Sequence, residues 1–572
     1  AKWDRTQLGH LVAMPQLQPF VDEVRQRVQG ELHEMVEYLG ADWGVGRELG
    51  DGAMAIAMVQ PDGPKSVAFV LLVEVTVPQQ KRNATIARLQ KRLISMGATL
   101  TSETLHGANL KVYRRNLNAP TGQEIVHAVS GRWFVASSDR ASAESILKQI
   151  NKPTKSSLAH NDAYLSIVAR TANENEKEAV RWFVQPIRYA QSIRTLTSNG
   201  QRGGSMLRAI AKQGFDALQG VGGVVYLADG ELDLRHNTFV YRAGPLQRAA
   251  KILDFPNGPA LHPRAWTVPH TANYISFRWR MKEAFECIQP LVDEIAEDAV
   301  FEQMLVDIKE DSNGPQLDIR GDVVAHFGKQ VTIVTACDHP IEPTSHQMFA
   351  TIDLTDGLAV AIALNKAMER DPRSTQLVIA GRQVWELGTG EEEDVMDDEL
   401  TLTVEIEGAG FGFGPMAVPT PEPEDEENDL PKLVLGVVGE QLVIASSADF
   451  AKYVFEKNEP RAALADAPDY RRVDGVLKRL GCTVESFRVF SRTDEAYHST
   501  YELLRRGESL ESGSLLGKLV SQAIEPSDLE TPRIDGSKLP PFDQIRPFLG
   551  PAGMSVETVD NGWLIRGCLL RK

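Results

Sequence analysis

Cysteine is scarce in this 572-residue chain, and Cys287, Cys337, Cys482 and Cys568 lie far apart without a CxxC pair. That argues against a zinc knuckle or a thioredoxin-type motif, and neither demands nor excludes disulfides. Positive charge is short as well: 61 Lys and Arg against 78 Asp and Glu give a net charge of −17. No long Lys/Arg run offsets this, so nucleic acid is disfavoured as a partner, because binding phosphates needs a basic patch. No apolar run reaches the roughly 18–20 residues of a membrane-spanning helix. The longest candidate, VAFVLLVEV at 67–75, carries Glu74 and reads as a buried strand. HExxH, GxSxG and the P-loop signature are absent too.

What the chain does contain is an internal repeat. LQPFVDEV at 17–24 returns as IQPLVDEI at 288–295. Each reads as a helix start, with Pro19 and Pro290 in the first turn and the Asp-Glu pairs near the positive end of the helix dipole. Gly50 with AMAIAMVQ and Gly328 with QVTIVTACD follow as turn and strand, then VAFVLLVEV and MFATIDL (348–354) as strands. Two helices come next, one capped by Asn83 and stopped at Gly97, the other starting after Asp356. Strands near GANLKVY (107–113) and GRQVWEL (381–387) precede the clearest match, WFVASSDRASAESIL (133–147) with LVIASSADFAKYVF (442–455). The shared serines there suit helix caps. SLAHNDAY (157–164) answers ALADAPDY (463–470), and VVYLADGELDLR (224–235) loosely answers MSVETVDNGWLIR (554–566).

Adjacent strands on short turns, with helices between them and no strict βαβ alternation, predict an α+β fold. It consists of two tandem copies of a unit made of antiparallel sheets with helices packed on one face. The copies span 1–255 and 256–572, and the second carries an acidic, Pro-rich insertion at about 388–431 that reads as a solvated loop. The second copy has a strand, NYISFRWR (273–280), before its IQPLVDEI helix, whereas the first has AKWDRTQLGHLVAMPQ there. Either an initial strand lies upstream of Ala1 or the first sheet lacks it. A start at Ala1 rather than Met implies a removed signal peptide or a longer chain.

Candidate chemistry is sparse. GVGRELG (44–50), GQRGG (200–204) and GVGG (220–223) match no phosphate-binding pattern, and GAGFGFG (408–414) alternates as a strand does. Cys337-Asp338-His339 is a compact ligand cluster, yet neighbours on a strand face opposite ways, so at most Cys337 and His339 share an ion. A strand end before Pro340 explains it as well. Glu391–Asp394 with Asp397 and Asp398 lacks the spacing of a calcium loop. Ser137-Ser138 and Ser446-Ser447 each precede a helix, with no shared histidine. His10, His106, His127, His160, His326 and His498 have no histidine at the matched position. No residue is therefore assigned a catalytic, cofactor-binding or metal role, and no cofactor is expected. The positions common to both copies are apolar residues, Gly, Pro, caps and the pair Tyr164/Tyr470.

AKWDRTQLGHLVAMPQLQPFVDEV, AMAIAMVQPDG, the ASSD and ASSADF elements and the ending PPFDQIRPFLGPAGMSVETVDNGWLIRG resemble a family of uncharacterised exported bacterial proteins of the planctomycete type. The resemblance implies a periplasmic or cell-envelope location, with anchoring through a segment upstream of Ala1, and no activity. The expectation is a non-catalytic scaffold or interaction protein with a protein partner or self-association in the envelope. A lipid or apolar-ligand binder is the first alternative, with Trp266, Tyr274, Phe277, Trp279 and Phe285 lining a cleft. A hydrolase with an unrecognised motif is the second.

Overall fold

Alternating and continuous apolar runs become antiparallel ladders in the computed structural model. It describes residues 3–24, 39–41, 44–63, 66–114, 124–155, 157–197, 204–296, 298–312, 314–342, 344–388, 433–456, 463–507 and 535–572. In chain order the strands are β1 (Met54–Val59), β2 (Ala68–Glu74), β3 (Thr99–Leu105), β4 (Ala108–Arg114), β5 (Glu124–Ser130), β6 (Trp133–Ser137), β7 (Val180–Val184), β8 (Leu218–Asp229) and β9 (Leu232–Arg242). They continue as β10 (Gly258–Pro259), β11 (Asn273–Arg278), β12 (Phe327–Cys337), β13 (His346–Leu354), β14 (Ser374–Ile379), β15 (Arg382–Leu387), β16 (Leu433–Val437) and β17 (Gln441–Ala445). The last four are β18 (Val484–Glu485), β19 (Phe487–Arg492), β20 (Pro551–Val559) and β21 (Gly562–Leu570). The fold is α+β, with helices beside all-antiparallel sheets.

The chain forms two compact units, one of residues 22–165 with 185–207, the other of 1–21, 166–184 and 208–572. This division differs from the halves 1–255 and 256–572 read from the repeat. The smaller unit holds a six-stranded sheet in the order β1-β2-β6-β5-β4-β3. Ala143 and Leu147 of the helix Arg140–Asn151 pack with Leu110, Val126 and Val135 on one face. Val45, Leu49 and Leu89 pack with Phe69, Leu71 and Phe134 on the other. Helices thus cover both faces rather than one, which is why β2 reads as a continuous apolar run. The larger unit holds a thirteen-stranded sheet, β14-β15-β16-β17-β13-β12-β11-β19-β20-β21-β9-β8-β7, while β10 and β18 pair separately.

The first six strands of that order, read outward from β12, run β12-β13-β17-β16-β15-β14, the order of the smaller sheet. The pairings correspond residue by residue. Glu74 lies opposite Trp133 and Asp353 opposite Gln441. Tyr113 faces Ile125 as Leu387 faces Leu433, and Leu105 faces Ala108 as Ile379 faces Arg382. The turns between the last of these pairs also agree: His106 and Gly107 have φ of 49° and 75°, Ala380 and Gly381 50° and 75°. Both residues are left-handed, as a two-residue hairpin requires.

Several local expectations shift. The helix Gln79–Ser95 begins after Pro78, leaving Asn83 exposed in its interior rather than as a cap. Residues 18–24 are helical, with Pro19 in the first turn as expected. Pro290 instead sits inside the helix Met281–Ala296, because that helix starts three residues after β11. Gly50 has φ +136°, and a Cβ there would meet Thr76 Oγ1 at 1.9 Å; Gly328 lies within β12 and is no structural counterpart of it. Residues 44–49 form a helix rather than a glycine turn. The insertion at 388–431, apart from Gly388, with its acidic run and GAGFGFG, lies outside the described residues.

A buried charge network holds β19. Arg488, 1 % exposed, donates from Nε to Glu485 Oε1 at 2.7 Å and from Nη1 to Asp474. Ser555 Oγ and the Leu261 N–H complete the Glu485 carboxylate. Burial opposes the Arg488 charge, but the two carboxylates outweigh it and hold its pKa above the ordinary value. Glu485→Ala should cost about 3–5 kcal/mol, because it removes one of the two carboxylates that compensate the buried guanidinium and leaves Asp474 alone with it; a urea midpoint unchanged from the parent would contradict this.

In the smaller unit His127 is buried between Tyr113 and Phe134, and Nε2 donates to the Leu39 carbonyl at 2.8 Å. Burial, aided by Lys111, lowers its pKa from 6.5 to about 4. The unfolded chain therefore binds the proton first on acidification. The stability due to neutral His127 is complete above pH 6.5 and is lost toward pH 4, up to about 3 kcal/mol at 1.36 kcal/mol per unit. Urea titrations at pH 7 and pH 4.5 should show this loss, and His127→Phe should reduce it.

Candidate metal centre

β12 ends at Cys337, and the connection to β13 carries His339 and a cis His339–Pro340 bond. The connection is tied down. Asp338 N–H donates to Ser345 O, Ser345 Oγ to Pro340 O, and Arg506 Nη1 to Ile341 O. The last contact comes from the helix His498–Arg506, preceded by the short helix Thr493–Ala496. Glu495 ends up beside His339, with Nε2 and Oε2 3.7 Å apart. The His339 and His498 ring centroids are 5.1 Å apart, and His498 stacks on Phe542 at 4.1 Å. One ligand atom from each of His339, Glu495 and His498 lies within 4.8 Å of the others.

The electrostatics are mixed. Burial and then the neighbouring His339 lower the His498 pKa, favouring the neutral imidazole that a metal needs. His498 Nδ1 is buried without a hydrogen-bond partner. Against cation binding, Arg546 pairs with Glu495 and with Asp494. Two imidazoles and one carboxylate form a nitrogen/oxygen set that suits zinc and its neighbours better than calcium or magnesium. Three protein ligands also leave a coordination position open.

The sequence allowed at most Cys337 and His339 to share an ion and assigned no residue a metal role; the structure brings His339 together with Glu495 and His498 instead. Cys337 does not join that cluster, and its Sγ donates to the Asp338 carbonyl. His498 lacked a repeat partner and was set aside on that ground. The usable signal was the short spacing Glu495-x-x-His498, which puts the two residues on consecutive helices joined at Tyr497.

The other candidates are structural. Ser447 caps the helix Ala448–Phe455 as expected, but the equivalent cap in the first half is Asp139. Ser138 Oγ accepts from Phe69 N–H and Ser446 Oγ from Met348 N–H, both at 2.9 Å. The matching serines are therefore Ser138 and Ser446, one residue off the alignment of the shared Ala-Ser-Ser. GVGG lies in β8, where a Cβ on Gly223 would meet Asn237 O at 2.0 Å. The aromatics proposed to line one cleft divide among separate packing groups: Phe277 stacks on Phe487, Trp266 meets Phe349, and Phe285 meets Phe301. Arg546 also lines an open cleft of about 530 Å³ with Asp543, Pro547 and Lys572. No described helix is long and apolar enough to cross a membrane.

No protein family, no curated protein and no solved structure matches the chain.

All four cysteines are free. Burial raises the thiol pKa of Cys337, Cys482 and Cys568 alike. Cys482 and Cys568, both buried, should therefore react with a disulfide reagent at pH 8 only after denaturation; rapid labelling of either in the folded protein, located by peptide mapping, would contradict this.

Proposed function

We propose that the chain is a non-catalytic interaction protein of the bacterial cell envelope that takes one zinc-like divalent ion at His339, Glu495 and His498. The observation that carries the metal assignment is the convergence of two imidazole nitrogens and a carboxylate oxygen within 4.8 Å, one of the histidines holding an unpartnered buried Nδ1. The interaction reading draws on what the two halves have in common. They correspond in strand order, register, turns and helix caps, the features of a duplicated frame, and the metal ligands belong to the second half alone. The envelope location draws on the sequence resemblance. With His339 about half exposed, the open coordination position is accessible to water or to a donor from a partner.

Hydrolysis at that open position is the second reading. It is favoured by the ligand count, since three protein ligands plus water is the arrangement of catalytic zinc.

The test is zinc loading of the full chain, desalting and elemental analysis, with isothermal titration for affinity. One zinc per chain is expected, with affinity reduced about 10–100-fold or more in His498→Ala, the range seen even for residues that only support a ligand. Glu495→Gln, close to isosteric, guards against loss through misfolding. Stoichiometry near zero, or equal zinc in parent and both variants, would overturn the assignment. Zinc-dependent cleavage of an activated ester, lost with the metal, would favour the second reading.

A further inference from the structure

β1 reads MAIAMV, six uncharged residues without a proline or a bulge. Natural edge strands are usually blunted by charge, proline or a bulge, because an open ladder invites another strand. The opposite edge of the same sheet, β3, reads TLTSETL and fits that expectation. β1 does not. Met54 is 53 % exposed and Ile56 40 %.

The ladder shows which groups are open. Ala53 O accepts from Glu74 N–H at 2.8 Å. Alternation then turns the N–H and C=O groups of Ala55, Ala57 and Val59 toward β2, and those of Met54, Ile56 and Met58 away from it. Among the described residues β1 pairs with β2 alone.

The second half shows such an edge filled. Val331 lies opposite Ile352 as Met54 lies opposite Val73, so β12 corresponds to β1. On its other side β12 carries β11, from Asn273 opposite Thr335 to Arg278 opposite Gln330. Trp279 N–H donates to Lys329 O and Arg278 N–H to Ser486 O. Ile275 and Phe277 therefore bond toward β12, Tyr274 and Ser276 toward β19. In the first half the place of β11 before the LQPFVDEV helix falls on residues that are helical, Trp3–Arg5 and Gln7–Val12. The N–H groups of Gln7 and Leu8 are committed to the Asp233 carboxylate. That segment does not supply a strand.

We infer that β1 is a docking edge, which takes an extended segment of a partner polypeptide by antiparallel strand addition in the register in which β11 lies on β12. The segment has alternating apolar side chains and no proline at the residues bonding to β1. Its residues opposite Met54, Ile56 and Met58 take the places of Phe277, Ile275 and Asn273. Backbone bonds to Met54, Ile56 and Met58 supply affinity, and side chains on the two faces supply selectivity. This is independent of the metal assignment.

The probe is a fluorescein-labelled peptide of the sequence HTANYISFRWR, titrated with the full chain and read by fluorescence anisotropy. Saturable one-to-one binding is expected. Ile56→Pro removes an outward N–H while leaving the β1–β2 bonds of Ala55 and Ala57, and should weaken binding at least about tenfold. Should that variant misfold, the probe itself carries the test. N-methylation at the residues corresponding to Ile275 and Phe277 should abolish binding, and N-methylation at those of Tyr274 and Ser276 should largely spare it. Absence of saturable binding, or equal loss with both methylated probes, overturns the proposal. So does a dimer of the unliganded chain that Ile56→Pro dissociates, since the occupant is then a second copy.

Discussion

Antiparallel hydrogen bonding commits every second residue of a strand to one neighbour and the rest to the other, and this alternation governs the protein from end to end. In the thirteen-stranded sheet eleven strands have both sides engaged, and side-chain burial follows. β11 illustrates the tightness of the constraint. Its odd-numbered residues bond to β12 and its even-numbered ones to β19, and Tyr274 and Ser276 are wholly buried. The charge network of Arg488 lies on the next strand, where a long cationic side chain is tolerated because Glu485 and Asp474 enclose it. Burying a guanidinium in an apolar sheet would otherwise be prohibitive.

The same alternation separates what was legible in the sequence from what was not. Strand identity was readable: β1, β2, β11, β12, β13, β20 and β21 fall where apolar runs bounded by glycine, proline or acidic turns place them. Helix starts were read less well. Proline tolerates the first turn, but Pro290 shows that an interior position is also accepted where the preceding strand feeds directly into the helix. Register failed by one residue at the shared Ala-Ser-Ser. Letter identity favours matching both serines, whereas the hydrogen bonds of Ser138 and Ser446 and the caps Asp139 and Ser447 set the true correspondence. A carboxylate and a hydroxyl cap a helix equally well, so chemistry was kept where the letter was not.

The metal cluster was half legible. His339 was singled out, but its partners lie more than 150 residues on, and they meet through packing of the helix Thr493–Ala496 on β12 and the tethering of the β12–β13 connection by Arg506. His498 has no histidine at the matched position of the first half, so the repeat carries no signal for it. Strand order and register are common to the two halves, whereas the polar residues that converge at His339, Glu495 and His498 lie in one of them.

The agreement in register also shows how the chain tolerates change in length. The spacing between corresponding residues differs from one hairpin to the next, and the differences accumulate in connections such as 388–431. A single residue added inside β2 or β13 would exchange the two faces of the strand and send polar groups into the core. The same residue added to a long connection would shift only the numbering. For anyone inserting a tag, a linker or a second domain into this protein, tolerance is therefore discontinuous: generous in connections, almost nil within strands, and less severe for pairs of residues, which restore the faces.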